Sequence, residues 1–232
     1  MQITDLRVPQ VVRNNSGRPI VLDCEYSLTP EEEGSGLVVK WFFDSQPAPV
    51  YQWIFSQRPQ DLGILRGRLN LDYRASNHAA MAHRALQITN PTTELSGDYK
   101  CSVSTFHDED FMVKRMLIFA PEKRLEIWHS RGPREGLINV TCFAAGAFPE
   151  PSLSLHRDIS GGGPALEDVR TETRTRLGSY DVTTRVVIQE PEEPAVFHCE
   201  LRIQDAQYEV RKTLLYYPVT STRQALIATK RE

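Results

Sequence analysis

The sequence lacks what would commit it to a membrane span or to nucleic acid. No run approaches the roughly 18 consecutive apolar residues that a spanning helix requires. Charge of one sign is missing as well. The 27 Lys and Arg stand against 30 Asp and Glu for a net charge of −3, which removes a strong electrostatic case for nucleic acid or an anionic membrane surface. With 13 Gly and 15 Pro in 232 residues, neither collagen nor low-complexity disorder fits. No G-x-S-x-G, H-E-x-x-H or glycine-rich strand-to-helix turn occurs, so nothing supports an enzyme. The six histidines are scattered without metal-ligand spacing, and no cofactor or metal is expected. Residues 1–10 hold no basic stretch leading into an apolar one, so no secretory leader is read there.

Cysteine is sparse, and its placement is informative. Cys24 and Cys101 lie in the first half of the chain, Cys142 and Cys199 in the second, and neither pair has the C-x-x-C spacing of a zinc site. Around them the chain alternates with period two. Ile20, Leu22 and Cys24 alternate with Val21 and Asp23; Ile138, Val140 and Cys142 alternate with Asn139 and Thr141. Such alternation sets each cysteine on the buried face of a half-exposed strand. Between the first pair, Val39, Trp41 and Phe43 share a face, and Tyr99 precedes Cys101 by two residues.

Cys24, Trp41, Tyr99 and Cys101 together resemble the immunoglobulin superfamily, whose sandwich joins two sheets by a disulfide, packs a Trp against it and sets a Tyr two residues before the second Cys. The resemblance covers residues 3–120 and implies an all-β chain of two tandem immunoglobulin-like sandwiches. The first, residues 1–120, is variable-type, because the interval between its cysteines has room for two extra strands, with 48–54 reading as the first of them. The second, residues 121–218, is constant-type, with Leu155 at the Trp position and Phe197 at the Tyr position. Residues 219–232 read as a polar stalk or tail, and Ala120-Pro121-Glu122-Lys123 as the linker. The family's acidic residue before Ser96-Gly97 is replaced by Leu95, which puts its usual ion pair with Arg68 in doubt, Glu94 being the available substitute.

The resemblance implies disulfides Cys24–Cys101 and Cys142–Cys199; four buried free thiols in a cytosolic sandwich are the alternative. On chain-entropy grounds each such bond stabilises by about 4–5 kcal/mol, and it persists only in an oxidising compartment. An extracellular or cell-surface location follows, with any membrane anchor in a segment outside this chain. The sequons at Asn14 and Asn139 are candidate glycosylation sites.

Cys24-Glu25-Tyr26 and Val39-Lys40-Trp41 resemble neural adhesion receptors of the arthropod Beaten path type, and the domain order also resembles vertebrate co-stimulatory ligands, butyrophilins and nectins. What this implies is recognition in adhesion or guidance, with a partner that is itself a cell-surface immunoglobulin-superfamily protein. The expected docking face is the outer sheet of the first domain. Parity assigns Lys40, Phe42, Lys100, Ser102 and Ser104 outward, and Tyr51 and Trp53 are expected to join Phe42 as exposed aromatics. An acidic hairpin tip with Asp108, followed by Phe111, is a candidate for charge complementarity or a plain solvated loop. Structural spacer domains are the alternative function, and they predict a polar outward sheet instead.

Overall fold

The computed structural model describes residues 1–33, 36–158 and 166–218. The segment 219–232, expected as a polar stalk or tail, lies outside these. Two compact units divide the chain; the first is Met1–Phe119 and the second begins at Ala120.

The first unit is a sandwich of two sheets. One holds β1 (Gln2–Arg7), β3 (Ile20–Ser27) and β7 (Leu86–Ile88), in that order. The other runs β2 (Val11–Arg13), β9 (Glu109–Phe119), β8 (Gly97–Ser104), β4 (Val38–Phe43), β5 (Tyr51–Ile54), β6 (Gln60–Asp61). β5 and β6 are the two extra strands of a variable-type domain. The chain changes sheets between β1 and β2, and β2 pairs with β9 in parallel while the other pairings are antiparallel. Ile3 and Asp5 flank a register shift in β1, and the free N–H of Ile3 donates to Asp110 Oδ2 at 2.8 Å. β7 is three residues long and meets beyond itself a single bridge, Leu69 to Ile88.

The core follows from the alternation of side chains along each strand. Leu22, Cys24 and Tyr26 face Val39, Trp41 and Phe43 of the other sheet, with Tyr99, Cys101 and Val103 beside them, all buried. The Cys24–Cys101 disulfide joins β3 to β8 through this layer. Trp41 Nε1 donates to the carbonyl of Arg84 at 3.3 Å, so its polar edge is satisfied inside. The Tyr99 hydroxyl donates to the carbonyl of Leu95 at 2.9 Å, and burial pushes its pKa well above the ordinary phenol value. A 3-10 turn at Thr93–Leu95 resolves the doubt about Arg68. It buries Leu95 in the core and turns Glu94 outward, where Glu94 Oε1 accepts from Arg68 Nη1 at 2.9 Å.

Among the described residues the second unit has seven strands. One sheet runs β10 (Arg124–Arg131), β11 (Leu137–Ala147), β14 (Ser179–Gln189), β13 (Arg170–Arg176); the other runs β12 (Ser152–Asp158), β15 (Ala195–Ile203), β16 (Tyr208–Tyr216). This four-plus-three division is the constant-type arrangement. Cys142 on β11 is bonded to Cys199 on β15. Leu155 pairs with Cys199 in register and is buried, and Phe197 is fully buried, so apolar side chains hold the positions where the family has Trp and Tyr. Glu200, on the opposite face of β15, is 3% exposed and held by Arg211 Nη2 at 2.8 Å and by Arg202.

Candidate docking face of the first unit

Register decides which of the expected binding residues reach the outer face of the six-stranded sheet. Directly opposed residues in an antiparallel pair lie on the same face. Tyr51 is opposite Trp41 and Trp53 is opposite Val39, so both aromatics of β5 follow Trp41 and Val39 into the core. Each is 2% exposed. The expectation of an exposed Tyr51 and Trp53 is therefore overturned. The strand does alternate, as the sequence indicated, but Gln52 and Ile54 are the outward pair. The Tyr51 hydroxyl donates to the carbonyl of His83 at 2.8 Å, and burial raises its pKa above the ordinary phenol value. Trp53 meets the His83 ring edge-on, with centroids 5.6 Å apart.

Ser102 is a second correction. Its parity is outward, but the residue is 5% exposed because its hydroxyl donates to Glu109 Oε1 at 2.8 Å beneath the β8–β9 hairpin. Lys40, its neighbour in register on β4, is half-buried. The hairpin tip is also less available than its composition implies. Glu109, though exposed, is engaged by Ser102, Asp110 by the N–H of Ile3, and Asp108 lies 3.5 Å from the Met1 amino group. Among the described residues no group of three or more His, Cys, Asp or Glu is placed to hold a metal.

What the sheet does present is a short apolar row with a cation in it. Phe42 on β4 pairs with Lys100 on β8, and Lys100 pairs with Val113 on β9. Phe111, opposite Ser102 and one position along the same face of β9, completes the group. Phe111 is 57% and Val113 50% exposed, while Phe42 is half-buried. The Lys100 ammonium lies 4.3 Å from the Phe111 ring centroid and 5.4 Å from that of Phe42. Phe42, Lys100 and Val113, with Ser45, Gln46, Pro47 and Asp98, line a shallow depression of about 360 Å³. An ammonium flanked by two rings offers a partner one positive charge within an apolar surround.

Sequence reasoning misses Val113, the aromatic setting of the outward Lys100, and the exposed Phe106 of the hairpin turn. Val113 is hidden because β9 does not alternate: Phe111, Met112 and Val113 are all apolar and all exposed. Lys100 reads as an ordinary surface lysine until its two aromatic neighbours are placed. Phe106, in the hairpin turn and 81% exposed, lies outside any alternating run, its one signal being an aromatic between Thr105 and His107.

The sequons differ in setting. Asn14 follows β2, its N–H donating to the carbonyl of Phe119 at 2.7 Å, and Asn139 is within β11. In each the Oδ1 is buried without a partner.

The disulfides, the inward Trp41 and the bonded Tyr99 hydroxyl are those of an immunoglobulin-type sandwich. The chain has the immunoglobulin fold. It is 27% identical over 182 residues to the cell surface A33 antigen of Mus musculus, across 70% of this chain and 55% of that protein, so it spans about half the length of that relative. Bovine butyrophilin superposes with a TM-score of 0.71 at 18% identity, covering 91% of this chain and 96% of butyrophilin. A chain in the crystal structure of ICOS in complex with ICOS-L and an anti-ICOS-L VNAR domain gives a TM-score of 0.62 at 13% identity, covering 89% of this chain and 99% of that one. At these identities the two structures establish the fold alone. No family model matches the sequence. Among the described residues no helix is long and apolar enough to cross a membrane.

Proposed function

We propose that this chain is an extracellular recognition module, acting in adhesion or guidance, that docks another cell-surface protein of immunoglobulin type through the outer face of its six-stranded sheet. The observation that carries the reading is the row Phe42–Lys100–Val113 with Phe111 beside it. An apolar patch left in water on a folded domain is costly unless a partner covers it, and aromatic side chains contribute most of the binding energy where they are covered. The similarity to a cell surface antigen and to a fold found in a complex of ICOS with ICOS-L supports a partner of the same kind. A standard interface takes about 800 Å² per partner, which one sandwich face supplies. The spacer alternative predicts a polar outward sheet, and the exposed Phe111 and Val113 speak against it.

The test is a multivalent form of the secreted chain screened against a panel of cell-surface ectodomains. The expected result is a partner whose binding is lost on Phe111→Ala and on Lys100→Glu but unchanged on Arg170→Ala in the second unit. A verified partner that binds Phe111→Ala and Lys100→Glu as tightly as the parent overturns the assignment of the face.

A further inference from the structure

The second unit also exposes apolar side chains, and the sequence supplies something to cover them. On the outer face of its four-stranded sheet, Trp128 of β10 pairs with Thr141 of β11, which pairs with Arg185 of β14, which pairs with Arg170 of β13. One step along the same face, Ser130 pairs with Asn139 and Asn139 with Val187. Ile138, Val140 and Cys142 are buried on the other face, so Asn139 and Thr141 belong to the outer face, where Asn139 is half-buried and Thr141 is 2% exposed. Trp128 is 41% and Val187 49% exposed. Val187 stands directly across from Asn139 and Trp128 diagonally, which puts them about 5 Å and 7–8 Å from it.

We propose that Asn139 carries an N-linked glycan whose first sugars lie on this face, over Trp128 and Val187. Asn139-Val140-Thr141 has the required acceptor pattern, with a hydroxyl two residues on and no proline between. Asn139 Oδ1 is buried without a hydrogen-bond partner. In the transfer, Nδ2 attacks C1 of a sugar carried on a lipid pyrophosphate. The N–C1 bond forms, the C1–O bond to the pyrophosphate breaks, the lipid pyrophosphate leaves with that electron pair, and Nδ2 gives up one proton. Once attached, the apolar C–H face of the sugar stacks on the Trp128 indole and its hydroxyls meet water. The glycan turns this face from an adhesive surface into a solvated one. The inference rests on the extracellular reading for access to the sugar donor, and secretion is read out separately.

The full chain is secreted from a eukaryotic cell line and its tryptic peptide spanning residues 135–157 is weighed before and after peptide N-glycosidase. Carbohydrate is expected on that peptide, and its enzymatic removal leaves an aspartate at the modified position. The second readout is acrylamide quenching of tryptophan fluorescence. Trp41 and Trp53 are buried, so quenching reports Trp128. Removing the glycan from the folded protein roughly doubles the quenching constant, since it uncovers a residue that a bulky surface group shields. N139Q, never modified at this position, reproduces the stripped value. A secreted chain with no carbohydrate on that peptide overturns the proposal while leaving the recognition reading intact. Carbohydrate present with quenching unchanged on its removal overturns the covered face.

Discussion

Lys100 holds its ammonium 4.3 Å from the centre of the Phe111 ring, across the β8–β9 pairing and in contact with solvent. The two residues are eleven apart in sequence and meet because Ser102 pairs with Phe111 and Lys100 with Val113. The interaction tethers a long side chain that otherwise samples many rotamers, so a partner meets the charge already in place. A double-mutant cycle on Lys100→Met and Phe111→Ala, read by chemical denaturation, is expected to give a coupling of about 0.5–1 kcal/mol, the range for an exposed cation–π pair. A coupling of zero would mean the ring and the ammonium are neighbours without interacting.

Phe111→Ala is expected to cost about 2 kcal/mol or more in affinity for a verified partner while lowering the unfolding free energy by only about 0.5–1 kcal/mol, the lost cation–π contact. Trp53→Ala behaves in the opposite way. Its indole is fully enclosed, and truncation is expected to cost about 3–5 kcal/mol of stability through the cavity left behind. Trp53→Phe should be far milder, because the indole Nε1 it removes is buried without a partner. Thermal and denaturant melts of the three variants separate docking residue from core residue.

The 3-10 turn at Thr93–Leu95 makes a sharp prediction about a family position. Leu95→Asp restores the acidic residue that related domains commonly have there, yet it places a carboxylate where the side chain is wholly buried. Arg68 is already paired with Glu94. The expected outcome is a loss of several kcal/mol or failure to fold, against about 0.2–1 kcal/mol for Glu94→Ala, which breaks a partly exposed pair. Equal costs measured by denaturant melts would contradict the division of roles between the two residues.

Acid should act through Glu200. The hydrogen bond from Arg211, together with the charges of Arg202 and His156, holds its carboxyl below the ordinary value of 4.5 despite burial, which opposes this. A carboxyl depressed in the fold binds its proton less readily there than in the unfolded chain. Its contribution to stability is therefore complete above the unfolded value and is lost as the pH falls from there through the folded one. Denaturant melts of the parent and Glu200→Gln should differ most near neutral pH, and the gap should close as the pH drops below about 4.5. A gap that widens on acidification is the contrary result.

Much of this was legible in the sequence, and the residues show where legibility stopped. Period-two alternation around Cys24, Cys142 and Trp41 marked the inner faces, because one side of each strand packs and the other meets water. Tyr51 and Trp53 share a face, as alternation requires, but which face depends on the register between β4 and β5, and register is a property of two strands. Ser102 shows a second limit: its parity was right, and a hairpin carboxylate from seven residues away covers it. Val113 was invisible for a third reason, since β9 is apolar or exposed on both faces along its first half. The row of Phe42, Lys100 and Val113 exists only where three strands lie side by side.

The three-stranded sheet of the first unit has two blunted margins. β7 ends after three residues, and β1 breaks register at Ile3, whose N–H is capped by Asp110. Neither margin offers a long ladder of unused backbone donors and acceptors on which another chain can zip. Molecules crowded at high density therefore have no ready route to lateral polymerisation through that sheet, and contacts between them are left to side chains.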